Sequence, residues 1–199
     1  MIIESNQAVF LAEVFGVLAM PGPTNSLLFV SGATRGFRPG LHLPFAEVTA
    51  YIVTISVLLF VVGPAAEGHS IVSQLLRVLC SLYLAQMAIW LWRSGHRRPD
   101  AGHPITYLRI FLTTLVNPKN LLFAFVIFPA RSAASGVMVS SFVSFSVICI
   151  IAGLSWISAG AVIQSAAASR MHLHHFYRGE ALLLAAFAVM VLVSAYYAS

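Results

Sequence analysis

The chain has 199 residues, of which 59% are apolar and only 9% charged, and its formal net charge is +5. Soluble domains average about 45–50% apolar and about 25% charged residues, so this chain has too little polar surface to cover a water-soluble globule. The same hydrophobicity excludes intrinsic disorder. The two cysteines, Cys80 and Cys149, both lie in apolar stretches, which excludes a disulfide framework. The composition is that of an integral membrane protein.

Stretches without acidic or basic residues divide the chain into predicted transmembrane helices. A helix crosses the hydrocarbon core with about 17–25 predominantly apolar residues, and continuous apolar stretches disfavour transmembrane strands. Because the first basic residue is Arg35, the opening stretch lacks the basic start of a signal peptide and is kept as a span. We predict an all-α membrane protein with six helices, near residues 8–34, 41–62, 71–92, 106–129, 137–160 and 179–197.

The basic residues of the short loops predict the orientation of the chain in the membrane. One lies in the loops after predicted helices 2 and 4, Arg131, and seven lie in the loops after helices 1, 3 and 5: Arg35, Arg38, Arg93, Arg97, Arg98, Arg170 and Arg178. The loops after helices 1, 3 and 5 are therefore expected in the cytoplasm, with both chain termini outside. These arginines face anionic lipid, so the high isoelectric point needs no nucleic-acid partner.

Proline motifs interrupt the first and fourth predicted helices, at Pro21-Gly22-Pro23 and at Asn117-Pro118. Proline lacks an N–H and clashes with the preceding turn. Aligning Pro23 with Pro118 also aligns Asn25 with Asn120, and an offset of three helices gives the two halves opposite orientations. Matching broken helices in inverted repeats form the substrate site of secondary transporters. We therefore predict that the substrate binds at Pro21, Gly22, Pro23, Asn25, Asn117, Pro118, Lys119 and Asn120.

Two simpler interpretations of these motifs stay open. Proline kinks are common in membrane helices, although two breaks with the same Pro-x-Asn spacing favour a site over two unrelated kinks. Asn25 and Asn120 have a competing role as caps of the second half-helix, which is compatible with substrate contact.

Four ionisable side chains fall inside predicted spans, where such groups are rare and functional by default: Glu13, Glu47, Arg77 and Lys119. Their charges sum to zero, so pairing among them is the alternative. Glu47 is the leading candidate for ion coupling because it lies about 10 Å into the second helix at ~1.5 Å per residue. Glu13 and Arg77 are further candidates. Lys119 is expected to bind a substrate carboxylate, unless it snorkels to an interface or pairs with a glutamate.

Other groupings of polar or small residues are weaker. His172, His174 and His175 lie in a basic loop, where a metal site would need further ligands, so neither a metal nor another cofactor is predicted. No nucleophile–base pair or carboxylate dyad is visible, so no catalytic residue is predicted. Three glycines at spacings of four residues fit close helix packing, but they run into a basic loop and are more typical of a turn: Gly32, Gly36 and Gly40.

Two sequence motifs resemble those of a known transporter family. Pro21-Gly22-Pro23-Thr24-Asn25, followed by Arg35-Gly36-Phe37-Arg38-Pro39-Gly40, resembles the opening of the lysine-exporter and homoserine/threonine-resistance (LysE/RhtB-type) translocators. Asn117-Pro118-Lys119-Asn120 and Phe128-Pro129 resemble the second signature of that family. The chain length and six-helix layout match over essentially the whole chain.

The resemblance implies a secondary active exporter of amino acids or close derivatives, coupled to ions or protons, in the bacterial inner (plasma) membrane. We expect one transporter domain over residues 1–199, with repeats at about 6–95 and 106–199 and a basic cytoplasmic loop at about 93–105. Its partners are a small zwitterion and the lipid bilayer, and assembly as a homo-oligomer is left open. A non-transporting membrane subunit and a membrane-embedded enzyme are the alternative functions.

Labelling of single introduced cysteines in intact cells tests the predicted orientation. Ser70→Cys should react with a membrane-impermeant thiol reagent added outside, because it lies in a predicted external loop. Gly95→Cys should react only after the cells are opened. The parent chain, with Cys80 and Cys149 in place, supplies the background signal, and the reverse labelling pattern contradicts the orientation.

Overall fold

A computed structural model of the chain describes residues 2–64, 70–94, 105–128, 135–164 and 172–197. Every element in these ranges is helical, as the sequence predicts. The α-helices are α1 (Ile2–Ala19), α2 (Pro23–Arg35), α3 (Phe37–Gly40), α4 (Leu43–Val57), α5 (Ser70–Ser94), α6 (Tyr107–Leu115), α7 (Lys119–Leu122), α8 (Ser135–Gln164) and α9 (His172–Tyr197). Two π-helical segments extend α4 and α7: Leu58–Val62 and Phe123–Ile127.

Within the described ranges, two helical stretches are each long and apolar enough to cross a membrane: Phe37–Val62 and Ser135–Val162. The count rises to four if each bent helix pair is one span. These pairs are Gln7–Ala19 with Pro23–Arg35, and Tyr107–Leu115 with Lys119–Ile127. The four stretches correspond to the first, second, fourth and fifth predicted spans.

The third and sixth predicted spans correspond to α5 and α9. Each contains a shorter apolar helix, Val78–Trp90 in α5 and Leu184–Val193 in α9. Both helices, Ser70–Ser94 and His172–Tyr197, extend beyond these apolar stretches. The chain is therefore a helical protein with candidate membrane spans, and the full six-span repeat stays a prediction.

Both predicted helix breaks are present. The chain bends by 63° between Gln7–Ala19 and α2, and by 57° between α6 and the helix that starts with α7. At the first break, Gly22 has an extended backbone and precedes Pro23, which occupies the first turn of α2. A proline is tolerated there because the N–H groups of the first turn have no partner inside the helix. At the second break, Pro118 immediately precedes α7.

The chain divides into two compact units: Met1–Ile55 with Arg98–Ser169, and Ser56–Arg97 with Arg170–Ser199. In the first unit, α2 packs against α8. An apolar core joins buried side chains from both of these helices and from the segments around them: Leu28, Leu43, Ala46, Ile105, Ile110 and Ile157.

Two glycines allow the backbones of α2 and α8 to approach closely. A Cβ atom added at Gly32 would overlap the backbone carbonyl of Ile157, and one added at Gly160 would overlap the carbonyl of Phe29. Gly32 is thus a packing residue, so the predicted turn role is wrong for this position. Gly36 does form the turn, with φ +82°, a backbone conformation that favours glycine.

The second unit contains α5 and α9, which pack on each other along narrow stripes. Both stripes have the same helical spacing and are largely of small residues. The buried residues are Ser81, Leu84 and Ala88 on α5, and Ala181, Leu184 and Ala188 on α9. Near the end of α5, the Arg178 guanidinium carbon lies 5.0 Å from the centre of the Trp92 ring, within the range of a cation–π contact.

Substitution of Gly160 tests the close packing of α2 and α8. Gly160→Ala should destabilise the protein by roughly 1–3 kcal/mol, the usual cost of overpacking, because the new methyl group meets a backbone carbonyl that cannot move aside. Thermal unfolding in detergent measures the effect. Gly16→Ala is the matched control, since a Cβ atom there meets nothing within 4 Å. Equal melting temperatures for the two variants would contradict the packing.

Candidate functional site

At both helix breaks, an asparagine amide donates to backbone carbonyl groups that the break leaves without partners. Asn25 Nδ2 donates to the carbonyl oxygens of Leu18 at 2.8 Å and Met20 at 2.7 Å, at the end of α1. Asn120 Nδ2 donates to three carbonyl oxygens at the end of α6, those of Thr114, Leu115 and Asn117, at 2.7–3.2 Å. The last carbonyls of a helix have no partner inside it, so each asparagine satisfies the half-helix that precedes its own.

This geometry corrects the predicted capping role of the two asparagines. In the capping alternative, Asn25 and Asn120 would cap the second half-helix, but their amide groups reach back to the first one. The second half-helix of the fourth span is capped by Asn117 instead, because its Oδ1 atom accepts a hydrogen bond of 3.0 Å from the Lys119 backbone N–H.

Buried side chains connect the first break directly to the second. Thr24 Oγ1 lies 3.1 Å from Thr114 Oγ1, and Asn117 Nδ2 donates to Thr24 Oγ1 at 3.2 Å. All three residues are at most 4% exposed. The two breaks, 90 or more residues apart in sequence, therefore form a single polar cluster inside the first unit.

Lys119 lies within this cluster. The residue is 3% exposed, and its ammonium group donates a 2.5 Å hydrogen bond to the carbonyl oxygen of Met20 at the first break. A buried ammonium so bonded is not snorkelling to an interface, which removes one of the alternatives. The Lys119 charge also interacts with the carboxyl group of Glu47, as the pairing alternative predicts.

Glu47, on α4, is 1% exposed. Its carboxyl group is hydrogen-bonded to the Cys149 thiol of α8 and interacts electrostatically with Lys119. Gly153, one turn further along α8, leaves room for the carboxyl group, because a Cβ atom at this position would lie 3.2 Å from Glu47 Oε2. The charge pair thus lies between α4, α7 and α8.

An aromatic layer covers one side of the charge pair. Tyr51 lies four residues after Glu47, and Phe123 lies four residues after Lys119. Phe145 lies four residues before Cys149, so each ring is one helical turn from a residue of the cluster. The ring centres are 4.9–5.5 Å apart and the rings meet edge to face, a favourable arrangement. All three residues are almost fully buried, so the aromatic layer is part of the protein interior.

Two acceptor atoms of the cluster, Glu47 Oε1 and Asn120 Oδ1, have no hydrogen-bond partner among the residues that the structure describes. Buried polar groups are nearly always hydrogen-bonded in native proteins, so an added donor would be favourable at these two atoms.

The structure brings together most of the residues that the sequence singles out. The predicted substrate-binding residues all lie at the two breaks, and Glu47 lies next to Lys119. Glu13 is exposed on α1, away from the buried cluster. The side chain of Arg77, like those of His172, His174 and His175, lies outside the described residues. Within the described ranges, no group of three or more His, Cys, Asp or Glu residues is placed to hold a metal ion.

Sequence reasoning missed four residues of the cluster: Thr24, Thr114, Cys149 and Gly153. Thr24 and Thr114 carry a weak signal, because each is a polar residue in an apolar span within three residues of a break. Cys149 and Gly153 carry none, since a cysteine and a glycine in an apolar helix are ordinary packing residues.

One kind of comparison with known proteins, that with protein families, gave a match. No curated protein and no solved structure matched the chain. The family model described as LysE type translocator matches residues 15–196, a range that contains both helix breaks and the buried charge pair. The chain belongs to the LysE type translocator family.

Proposed function

We propose that this protein is a secondary active exporter of amino acids or close derivatives, working as one transporter domain in the bacterial inner membrane. Membership of a translocator family indicates transport across a membrane rather than catalysis. The observation that carries the proposal is the meeting of two broken helices around a buried lysine and a buried glutamate. In transporters built from inverted repeats, such breaks form the substrate site.

The breaks suit a substrate that carries a carboxylate. An amino acid leaves water to enter the membrane, so its carboxylate needs fixed positive potential on the way. The start of α2 presents backbone N–H groups and the positive end of a helix dipole. Lys119 adds a full positive charge at the second break. We assign Lys119 to the substrate carboxylate, with the half-helix starts beside it.

The charge pair suits ion coupling. Glu47 is a carboxyl group that can gain and lose a proton, and it faces a lysine rather than open water. A proton bound to Glu47 cancels its attraction for Lys119, which changes the electrostatic balance at the substrate site. We assign the coupling step to Glu47. Glu13 and Arg77 stay secondary candidates for ion coupling. The basic loops are assigned to the cytoplasmic side, as in the predicted orientation.

A transport assay in proteoliposomes tests the proposed function. Vesicles that contain the purified protein are loaded with each of the twenty common amino acids, and efflux is measured with and without an imposed pH gradient. At least one amino acid should leave faster than from protein-free vesicles, and faster still with the gradient. An enzyme or a non-transporting subunit would show no efflux for any of them, which would contradict the proposal.

Glu47→Gln tests the coupling role. The glutamine keeps the size of the side chain but cannot carry a proton, so efflux against a concentration gradient should be lost. Downhill exchange at saturating substrate should continue. Ser155→Ala is the matched control, because Ser155 is exposed on α8 and bonds only its own helix, at the Ile151 carbonyl. Uphill efflux at the wild-type rate in Glu47→Gln would remove this residue from the coupling step.

Lys119→Met tests the carboxylate role. Loss of the ammonium group should weaken substrate binding by roughly 1.5–3 kcal/mol, the range for hydrogen bonds to charged groups. The loss should be larger for the free amino acid than for its amide, which has no carboxylate. Lys119→Arg keeps the charge and should recover part of the affinity. Equal losses for the two ligands would show that Lys119 does not contact the carboxylate.

A further inference from the structure

In the buried cluster, the amide and ammonium donors have hydrogen-bond partners, whereas two acceptors have none among the described residues. The amide donors of Asn25 and Asn120 bond backbone carbonyls, and the Lys119 ammonium donates to the Met20 carbonyl. Glu47 Oε1 and Asn120 Oδ1 have no donor among the described residues. A buried acceptor without a donor is costly, and a charged one more so. What the cluster lacks is therefore a group with N–H bonds, preferably a cationic one.

Both acceptors belong to residues beside Lys119. Asn120 follows Lys119 in α7, and the carboxyl group of Glu47 interacts electrostatically with the Lys119 ammonium. One turn along both helices, the rings of Tyr51 and Phe123 lie 5.3 Å apart. This contact places α4 beside the helix that starts with α7, one turn from Glu47 and Lys119.

On the basis of the proposed function, we propose that Glu47 Oε1 and Asn120 Oδ1 bind the ammonium group of the substrate while Lys119 binds its carboxylate. When Glu47 is ionised, its charge and that of Lys119 balance each other in the empty site. When a zwitterion binds, Glu47 pairs with the substrate ammonium and Lys119 pairs with the substrate carboxylate. The buried net charge stays zero throughout.

This arrangement selects for ligands that carry both charges. A carboxylic acid without an amine engages Lys119 and leaves Glu47 buried without a cationic partner. An amine without a carboxylate engages Glu47 and leaves Lys119 buried without an anionic partner. Because a buried charge without its partner is strongly unfavourable, each of these ligands binds less tightly than the amino acid with the same side chain.

Ligand binding to purified protein in detergent, measured by calorimetry, tests the assignment. The probes are the amino acid that wild type binds most tightly among the twenty common ones, the matching acid without the α-amino group, and the matching decarboxylated amine. Glu47→Gln should weaken binding of the amino acid and of the amine by about 10- to 100-fold, the effect of losing a hydrogen bond to a charged group. Binding of the acid should instead become tighter, because Glu47→Gln removes the buried charge that the acid leaves without a partner.

Lys119→Met gives the opposite pattern and completes the test. It should weaken binding of the amino acid and the acid and tighten binding of the amine, because it removes the buried charge that the amine leaves without a partner. Glu47→Asp keeps the negative charge and should recover part of the amine binding, which separates loss of the charge from loss of stability. Ser155→Ala is the neutral control. A Glu47→Gln variant that binds all three ligands equally weakly, or the amino acid at full affinity, would overturn the assignment. Wild type that binds no amino acid would instead overturn the proposed function itself.

Discussion

A helix that breaks inside an apolar environment leaves backbone groups that need partners, and the first unit of this protein is organised around that constraint. Where lipid surrounds a helix, no water is available to accept or donate these hydrogen bonds. The carbonyls at the ends of α1 and α6 are satisfied by asparagine amides from the following half-helix. Each break is thus a closed structure that can persist within a membrane, rather than a point of local unfolding.

The polar groups that close the breaks also bring charged groups into the interior. Lys119 reaches across to a carbonyl at the first break, and this buried ammonium interacts electrostatically with the carboxyl group of Glu47 from α4. Charges of this kind are unfavourable in a low-dielectric interior unless they are paired. The cysteine and glycine of α8 make room for the carboxyl group, and three packed rings cover it on one side. The cluster therefore depends on contributions from α1, α2, α4, α6, α7 and α8 at once.

The breaks could be predicted from sequence because proline acts locally. Pro23 and Pro118 interrupt a helix wherever they occur, so their positions and the asparagine two residues later were enough to place both bends. The direction in which Asn25 and Asn120 point depends on which carbonyls lie within reach, and that is a property of the folded chain. The partnership of Thr24 with Thr114, and of Glu47 with Cys149, joins segments about 90 to 100 residues apart, which no local pattern encodes. Gly32 shows the same limit, since its spacing fits a turn and a packing contact equally well.

The two breaks meet at Thr24 and Thr114, and we expect export to require that the two broken helices move relative to each other. Thr24→Cys with Thr114→Cys tests it directly, because the hydroxyl oxygens of these residues are 3.1 Å apart and a disulfide requires closely placed side chains. In a background without Cys80 and Cys149, oxidation should form the cross-link and stop amino-acid efflux from proteoliposomes, and reduction should restore it. Failure to form the disulfide, or full efflux from the cross-linked protein, would contradict the account.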